Sequence, residues 1–400
     1  MVASTLSDDD GDAVDGAVGS PSVAALTQDP HPHLAAMRRN GPICWVESLG
    51  CWMVVSHAMA VAVMRDADTF TVDDPRFTTS RVVGPSMLST DGADHARHRQ
   101  PFVEPFTPRA SRAYFADFVQ AESVRIVESL APLGQAELRT ALAGPLATAS
   151  MRLALGLEGI PIAELLGWYA AIVQAVADLT AGDPLPDSGR AAYLSLTSAV
   201  QATLSTGGEG SFLGQISSAA GALSTTEMLS NTAVLLFGGI ETTEGMIANL
   251  FLHLLGEPSL LAAVRDVPAL LDAAIEESLR LEPAAAAVDR YATRDVTIGG
   301  VDFRRGDLVV VSLAAANRDP AVFEDPDRFD LHRRDLRKQL AFAQGPHVCV
   351  GLHLARLQTR SAALNVLALP ELTLDAERST APTGLVFRKP SAVWARWARV

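Results

Sequence analysis

The chain has 400 residues, a formal charge of −14 and 48% hydrophobic residues, with 20% charged. That fills a substantial core, and it is too acidic for sequence-independent nucleic-acid binding, which needs a basic footprint. Only two lysines occur, Lys338 and Lys389, and the three cysteines form no CxxC pair, which excludes a zinc module and a disulfide framework and fits a reducing cytoplasm.

Residues 1–20 are rich in Ser, Asp, Gly and Val and carry no Lys or Arg, so they lack the order of a signal peptide. A disordered tail is expected over 1–22, followed by one large domain over 23–400. No apolar run approaches the roughly 20 residues of a spanning helix, so no membrane anchor is expected. Ile43–Val46 and Cys51–Val55 flank the turn-like Glu47–Gly50 and predict a hairpin. From Ala110 to Leu204 the pattern is helical, with breaks expected at Gly144-Pro145, Gly159–Pro161 and Gly182–Pro186.

Ser224-Thr225-Thr226-Glu227 reads as a capping box opening a helix that ends near Gly256-Glu257-Pro258. At 1.5 Å per residue it spans roughly 45 Å, enough to cross the molecule. A further helix covers Pro268–Leu281, short strands fill 296–313, and an Asp- and Pro-rich loop runs to Phe329. A last helix is expected over Val350–Leu367, with strand-like segments at Leu385–Phe387 and Val393–Trp397. The fold class is mainly α with minor β.

The strongest chemical feature is Phe342-Ala343-Gln344-Gly345-Pro346-His347-Val348-Cys349-Val350-Gly351. A thiol just before a helix meets free N–H groups and a positive dipole end, both of which favour thiolate and metal ligation. Gly345 permits a tight turn, and Gly351 lets a flat cofactor approach. In the long helix, Phe237-Gly238-Gly239-Ile240-Glu241-Thr242-Thr243 carries two glycines that cost roughly 1 kcal/mol each, so a compensating role is needed. Close helix packing is one. Glu277 and Arg280 share a helix face at i,i+3, as His95 and Arg99 do at i,i+4.

Together these stretches resemble the cytochrome P-450 family over roughly residues 25–400. The cysteine loop is similar to the family's haem-binding loop, Phe-x-x-Gly-x-His/Arg-x-Cys-x-Gly; Ala343 stands where Gly is frequent. The resemblance implies the cytochrome P-450 fold and a haem b whose axial iron ligand is Cys349, the thiolate favouring O–O cleavage. It implies that Phe342 and Gly351 adjoin the haem and that His95, Arg99, Arg290 and His347 hold its propionates. By the same resemblance Thr242 hydrogen-bonds iron-bound oxygen and Glu241 relays protons. Glu277 and Arg280 form a buried scaffold pair, with Arg328 of Pro326-Asp327-Arg328-Phe329 completing the triad.

The function so implied is a monooxygenase that takes electrons from a ferredoxin and ferredoxin reductase, activates dioxygen, and hydroxylates or epoxidises a small apolar molecule. Peroxide-driven oxidation, desaturation or coupling, and ligand binding without turnover, remain alternatives on the same fold. The resemblance builds the pocket from the loop at about Arg81–Thr90, the helix breaks at 160–210, Leu236–Thr242, the segment after Arg280 and Leu385–Phe387. Four consecutive alanines, Ala284–Ala287, suggest an open space above the iron. Arg333-Arg334-Asp335-Leu336-Arg337-Lys338, with Arg356 or Arg360, is a candidate face for an acidic ferredoxin.

Overall fold

A computed structural model of the protein describes residues 20–181, 183–205, 213, 214, 216, 221 and 223–399. The main core lies among the helices Pro108–Leu130, Gly144–Ala154, Ile162–Ala181, Asp187–Ser205, Thr225–Gly256 and Leu352–Leu367. The long helix starts as its capping box requires. The Glu227 amide donates to Ser224 Oγ, and the Ser224 amide donates to Glu227 Oε2 at 2.7 Å. Its 32 residues reach Gly256, just before Pro258. Leu236, Ile240, Ile247 and Phe251 are buried on it, so it runs through the core and its middle turns can face a cofactor.

Beside this body stands a five-stranded sheet in the order Ile43–Val46, Cys51–Val54, Leu308–Ser312, Ala287–Ala292, Phe70–Thr71. The expected hairpin forms with Ile43 opposite Val54 and Val46 opposite Cys51. Val309 and Val311 pack with Val54, Met64 and Phe70, whereas Val310 packs with Met53 and Val55 on the other face. A strand buried on both faces explains the unbroken apolar run Leu308–Val311.

Several boundaries differ from expectation. Gly144-Pro145 does not break the helix; a π-helical turn, Arg139–Ala143, runs straight into Gly144–Ala154. Pro145 lies in the first turn of that α-helical segment, where a missing N–H does little harm. The interruption falls earlier, at the strand Gln135–Glu137. Pro268–Leu270 is a 3-10 turn leading into Leu271–Leu281, and the last helix begins at Leu352 with Gly351 as its cap. Ile162–Leu179 is long and apolar enough to cross a membrane by length and composition. One face of it, through Leu165, Tyr169, Ile172 and Ala175, is buried in the core. Of the expected tail, residues 1–19 lie outside the described residues; Ser22 caps the helix Val23–Gln28.

Candidate active site

The cysteine loop is closed by the Cys349 amide, which donates to the Phe342 carbonyl at 2.9 Å. Gly345 has φ +75°, and a Cβ there would lie 2.4 Å from the Met64 carbonyl oxygen, so only glycine fits. Ala343 also takes a left-handed conformation, φ +58°. At Gly351 an added Cβ would meet only Cys349 Sγ, at 3.9 Å, leaving the approach open. Phe342 is half-buried, with the Arg356 guanidinium 4.5 Å above its ring.

Cys349 keeps accessible surface although protein surrounds it closely. Burial there pushes the thiol above its ordinary value; the Gly351 amide and the charges of Arg99 and Arg356 oppose this without prevailing. The Gly351 amide and the two charges act in the direction expected from the sequence, toward the thiolate, against desolvation of the anion. A metal bound at the sulfur would supply the missing positive charge.

Around this loop gathers a polar cluster. His347 Nε2 lies 2.7 Å from Asp91 Oδ1, and its ring centroid is 4.3 Å from that of His95. Burial, with His347 and Arg99 nearby, lowers His95 to about 4. His95 Nε2 is buried and has no hydrogen-bond partner among the described residues. Arg99 donates to the Val348 carbonyl at 2.5 Å, and Arg290, almost fully buried, donates to the Asp289 carbonyl at 2.7 Å. Burial lowers both guanidiniums, and neither forms an ion pair among the described residues. Two cations and one orphaned imidazole nitrogen beside a lone thiol fit a flat, doubly carboxylated iron cofactor. Asp91, which caps and orients this cluster, is not among the residues expected from the sequence.

On the long helix the glycine pair divides its roles. A Cβ on Gly239 would strike Met151 Sδ at 2.4 Å, whereas one on Gly238 would meet nothing within 4 Å. Gly239 is thus the packing glycine and Gly238 the open one. Thr242 Oγ1 donates back to the Gly238 carbonyl at 2.6 Å. Glu241 is buried and committed elsewhere: Tyr169 donates its hydroxyl proton to Oε2, and Lys389 Nζ lies 2.8 Å from Oε1. Neither Tyr169 nor Lys389 belongs to a sequence motif.

The cytochrome P-450 monooxygenase PikC of Streptomyces venezuelae is 34% identical over 388 residues, covering 90% of each chain. The chain belongs to the cytochrome P-450 family. The family model for cytochrome P-450 matches residues 268–390. Nocardicin C N-oxygenase of Nocardia uniformis subsp. tsuyamanensis is 30% identical over 387 residues, 92% of this chain and 96% of that one. Among solved structures, CalO2 superposes with TM-score 0.84 at 28% identity, over 94% of this chain and 98% of that one. As a cytochrome P-450 monooxygenase the protein is an oxidoreductase with a haem cofactor, an organic substrate and a redox partner.

The cytochrome P-450 scaffold pair is present and buried. Glu277 and Arg280 are both 0% exposed, with Nε 2.7 Å from Oε2. Arg328 does not complete the triad, because its side chain is 66% exposed and pairs with Asp330. Arg333 does so instead, 2.9 Å from Glu277 Oε1, and the loop offers Arg280 the Pro326 and Arg328 carbonyls. This removes Arg333 from the candidate docking face. Arg356 is held by Glu276, whereas Arg360 and Lys338 make surface pairs with Asp272 and Asp335, and Arg334 and Arg337 are exposed.

The alanine run is not a uniformly open wall. Ala286 and Ala287 are buried with Leu26, Leu34 and Met37, and the Ala284 Cβ faces Gly245. Ala285 alone of the four is partly exposed, bridged to Phe387, whose ring stands edge-on to Phe237 at 5.4 Å.

Proposed function

We propose that the protein binds haem b through Cys349, takes electrons from a ferredoxin and its reductase, and hydroxylates or epoxidises a small apolar molecule. The observation that carries this reading is the cluster beside Cys349 of Arg99 and Arg290, without an ion pair among the described residues, and His95 Nε2, without a hydrogen-bond partner among them. Arg99, Arg290, His95 and His347 would hold the two haem carboxylates, with Phe342 and Gly351 along the ring. When bound, thiolate-ligated haem supplies dioxygen activation.

The chain's own residues do the rest. The open side of Gly238 leaves room beside the helix, and Thr242, now bonded to the Gly238 carbonyl, would turn its hydroxyl toward dioxygen. Glu241, one residue before it, would relay protons toward it. Phe237, Phe387 and Ala285 give the substrate side an apolar wall. The three cysteines are unpaired, which supports a cytoplasmic location. The outward Arg334, Arg337 and Lys338 support docking of an acidic ferredoxin.

The test is spectral and chemical. Reduced protein under carbon monoxide should give the red-shifted band of thiolate ligation, lost in Cys349→Ser and kept in Cys44→Ser and Cys51→Ser. NADPH-dependent oxygen uptake with a surrogate ferredoxin system, and a product heavier by one oxygen, should follow. A normal band from Cys349→Ser would overturn the ligand assignment.

A further inference from the structure

The helix His31–Asn40 buries Leu34 and Met37, while Ala35, Arg38 and Arg39 border a cavity of about 340 Å³. Across it stand Ala314 and Ala315 of the short helix Leu313–Ala316, then Arg318, Pro320 and Pro326. The far wall is fixed from behind, because Arg280 Nη1 donates to the Asn317 carbonyl at 3.0 Å and to the Pro326 carbonyl at 2.6 Å. The cavity is therefore preformed, as ligand sites usually are.

Its charge is one-sided. Arg38 reaches across the cavity, donating from Nε to the Val55 carbonyl at 3.0 Å and from Nη2 to the Ala315 carbonyl at 2.6 Å. A guanidinium has five donors, and Arg38 Nη1 makes no hydrogen bond among the described residues. Neither Arg38 nor the exposed Arg39 has an ion pair among them. Burial lowers Arg38 from the ordinary arginine value; Asp319 and Asp327 act against this and Arg318 reinforces it. Asp319 is already occupied, accepting from the His57 and Ala321 amides. Asp327, the one acidic lining residue among those described, is 75% exposed and pairs with Arg318 at 2.9 Å. A pair that open contributes little and parts readily. A chain of charge −14 thus gathers three arginines around one apolar cavity.

We propose that this cavity is a second binding site, apart from Cys349, for an organic carboxylate with an apolar body. The carboxylate takes Arg38 Nη1 and the Arg39 guanidinium, and the body lies along Leu34, Ala35, Ala315 and Pro320. An inorganic anion would leave those walls wet, and a neutral apolar molecule would leave Arg38 Nη1 without an acceptor. The volume lies near the lower end of ligand cavities, about 300–1,000 Å³, and so suits a small amphiphile. No lining residue belongs to the Cys349 cluster or to the wall of Phe237, Ala285 and Phe387, so the site is independent of the monooxygenase chemistry.

Octanoate serves as the probe. Calorimetric titration of the holoprotein should show saturable binding that leaves the haem absorbance spectrum unchanged. Arg38→Gln should weaken it at least about tenfold, through loss of a charged hydrogen-bond donor. Ala35→Trp fills the cavity from a half-buried position and keeps every arginine, so it should abolish the binding. That variant decides alone should Arg38→Gln lose haem. Octan-1-ol lacks the charge and butyrate lacks the body, so each should bind at least about tenfold more weakly than octanoate. No saturable heat up to about 10 mM octanoate would overturn the site. So would octan-1-ol binding as tightly as octanoate, or octanoate binding that persists unchanged in Ala35→Trp.

Discussion

The guanidinium of Arg333 reaches Glu277 with Nε 2.9 Å from Oε1, so one fully buried carboxylate carries two arginines. Arg333 also donates to the carbonyls of Glu324, Asp325 and Arg328, tying the loop before the cysteine segment to the helix Leu271–Leu281. Removing one partner of such a group strands a buried charge and costs about 3–5 kcal/mol. Glu277→Ala and Arg333→Ala should therefore both give little haem-replete protein, while Arg328→Ala should unfold in urea within about 0.5 kcal/mol of wild type.

Ala343 sits at φ +58°, a conformation that costs a residue with a Cβ roughly 1–2 kcal/mol. Part of that is offset in the unfolded chain, where glycine has more freedom to lose. Ala343→Gly should raise stability by up to about 1 kcal/mol, read as a higher urea midpoint with unchanged slope. A lower midpoint would show that the Ala343 methyl, packed beside the core of Val63 and Leu340, outweighs the strain.

Neighbouring alanines should respond differently to the same enlargement. Ala285→Phe should retain haem and alter substrate binding spectra or product position, since Ala285 meets Phe387 at the apolar wall. Ala286→Phe should instead destabilise by about 1–3 kcal/mol through overpacking among Leu26, Leu34 and Met37. Identical behaviour of the two variants would contradict this division.

Acid stability should show two windows. Burial lowers His253 to about 4, with Arg318 and Arg280 assisting against Glu282 and Glu277. Its folded value lies below its ordinary one, so the unfolded chain binds the extra proton and stability falls as pH drops from about 6.5 toward 4. Burial alone would raise Glu282, but the His31 hydrogen bond and charge, with Arg388, bring it down to about 2. That contribution is complete above its ordinary value and is lost as pH falls through about 4.5 toward 2. Urea titrations across pH 2–8 should lose the upper slope in His253→Phe and the lower one in Glu282→Gln.

Charge reversal at Arg334 and Arg337 should reduce the salt dependence of electron transfer from a ferredoxin and slow association, leaving the carbon-monoxide band intact. Reversal at Arg333 should cost haem content instead, because that side chain is 5% exposed and belongs to the scaffold.

The sequence determined what depends on neighbours in the chain. A capping box, a glycine-pinned turn before a helix, and spacings of three or four are local, so the long helix, the Cys349 loop and the Glu277–Arg280 pair were legible before any fold. The tertiary structure decided what depends on distant segments meeting. Arg333 and Arg328 lie five residues apart in one charged loop, and only its path shows which side chain turns inward. Ala284–Ala287 read as four equal residues until two of them meet the N-terminal helices and one meets Phe387. Lys389 carries no motif, because its meaning comes from two carboxylates 145 and 148 positions earlier, brought within 3.2 Å of its Nζ by the path of the C-terminal segment past the long helix.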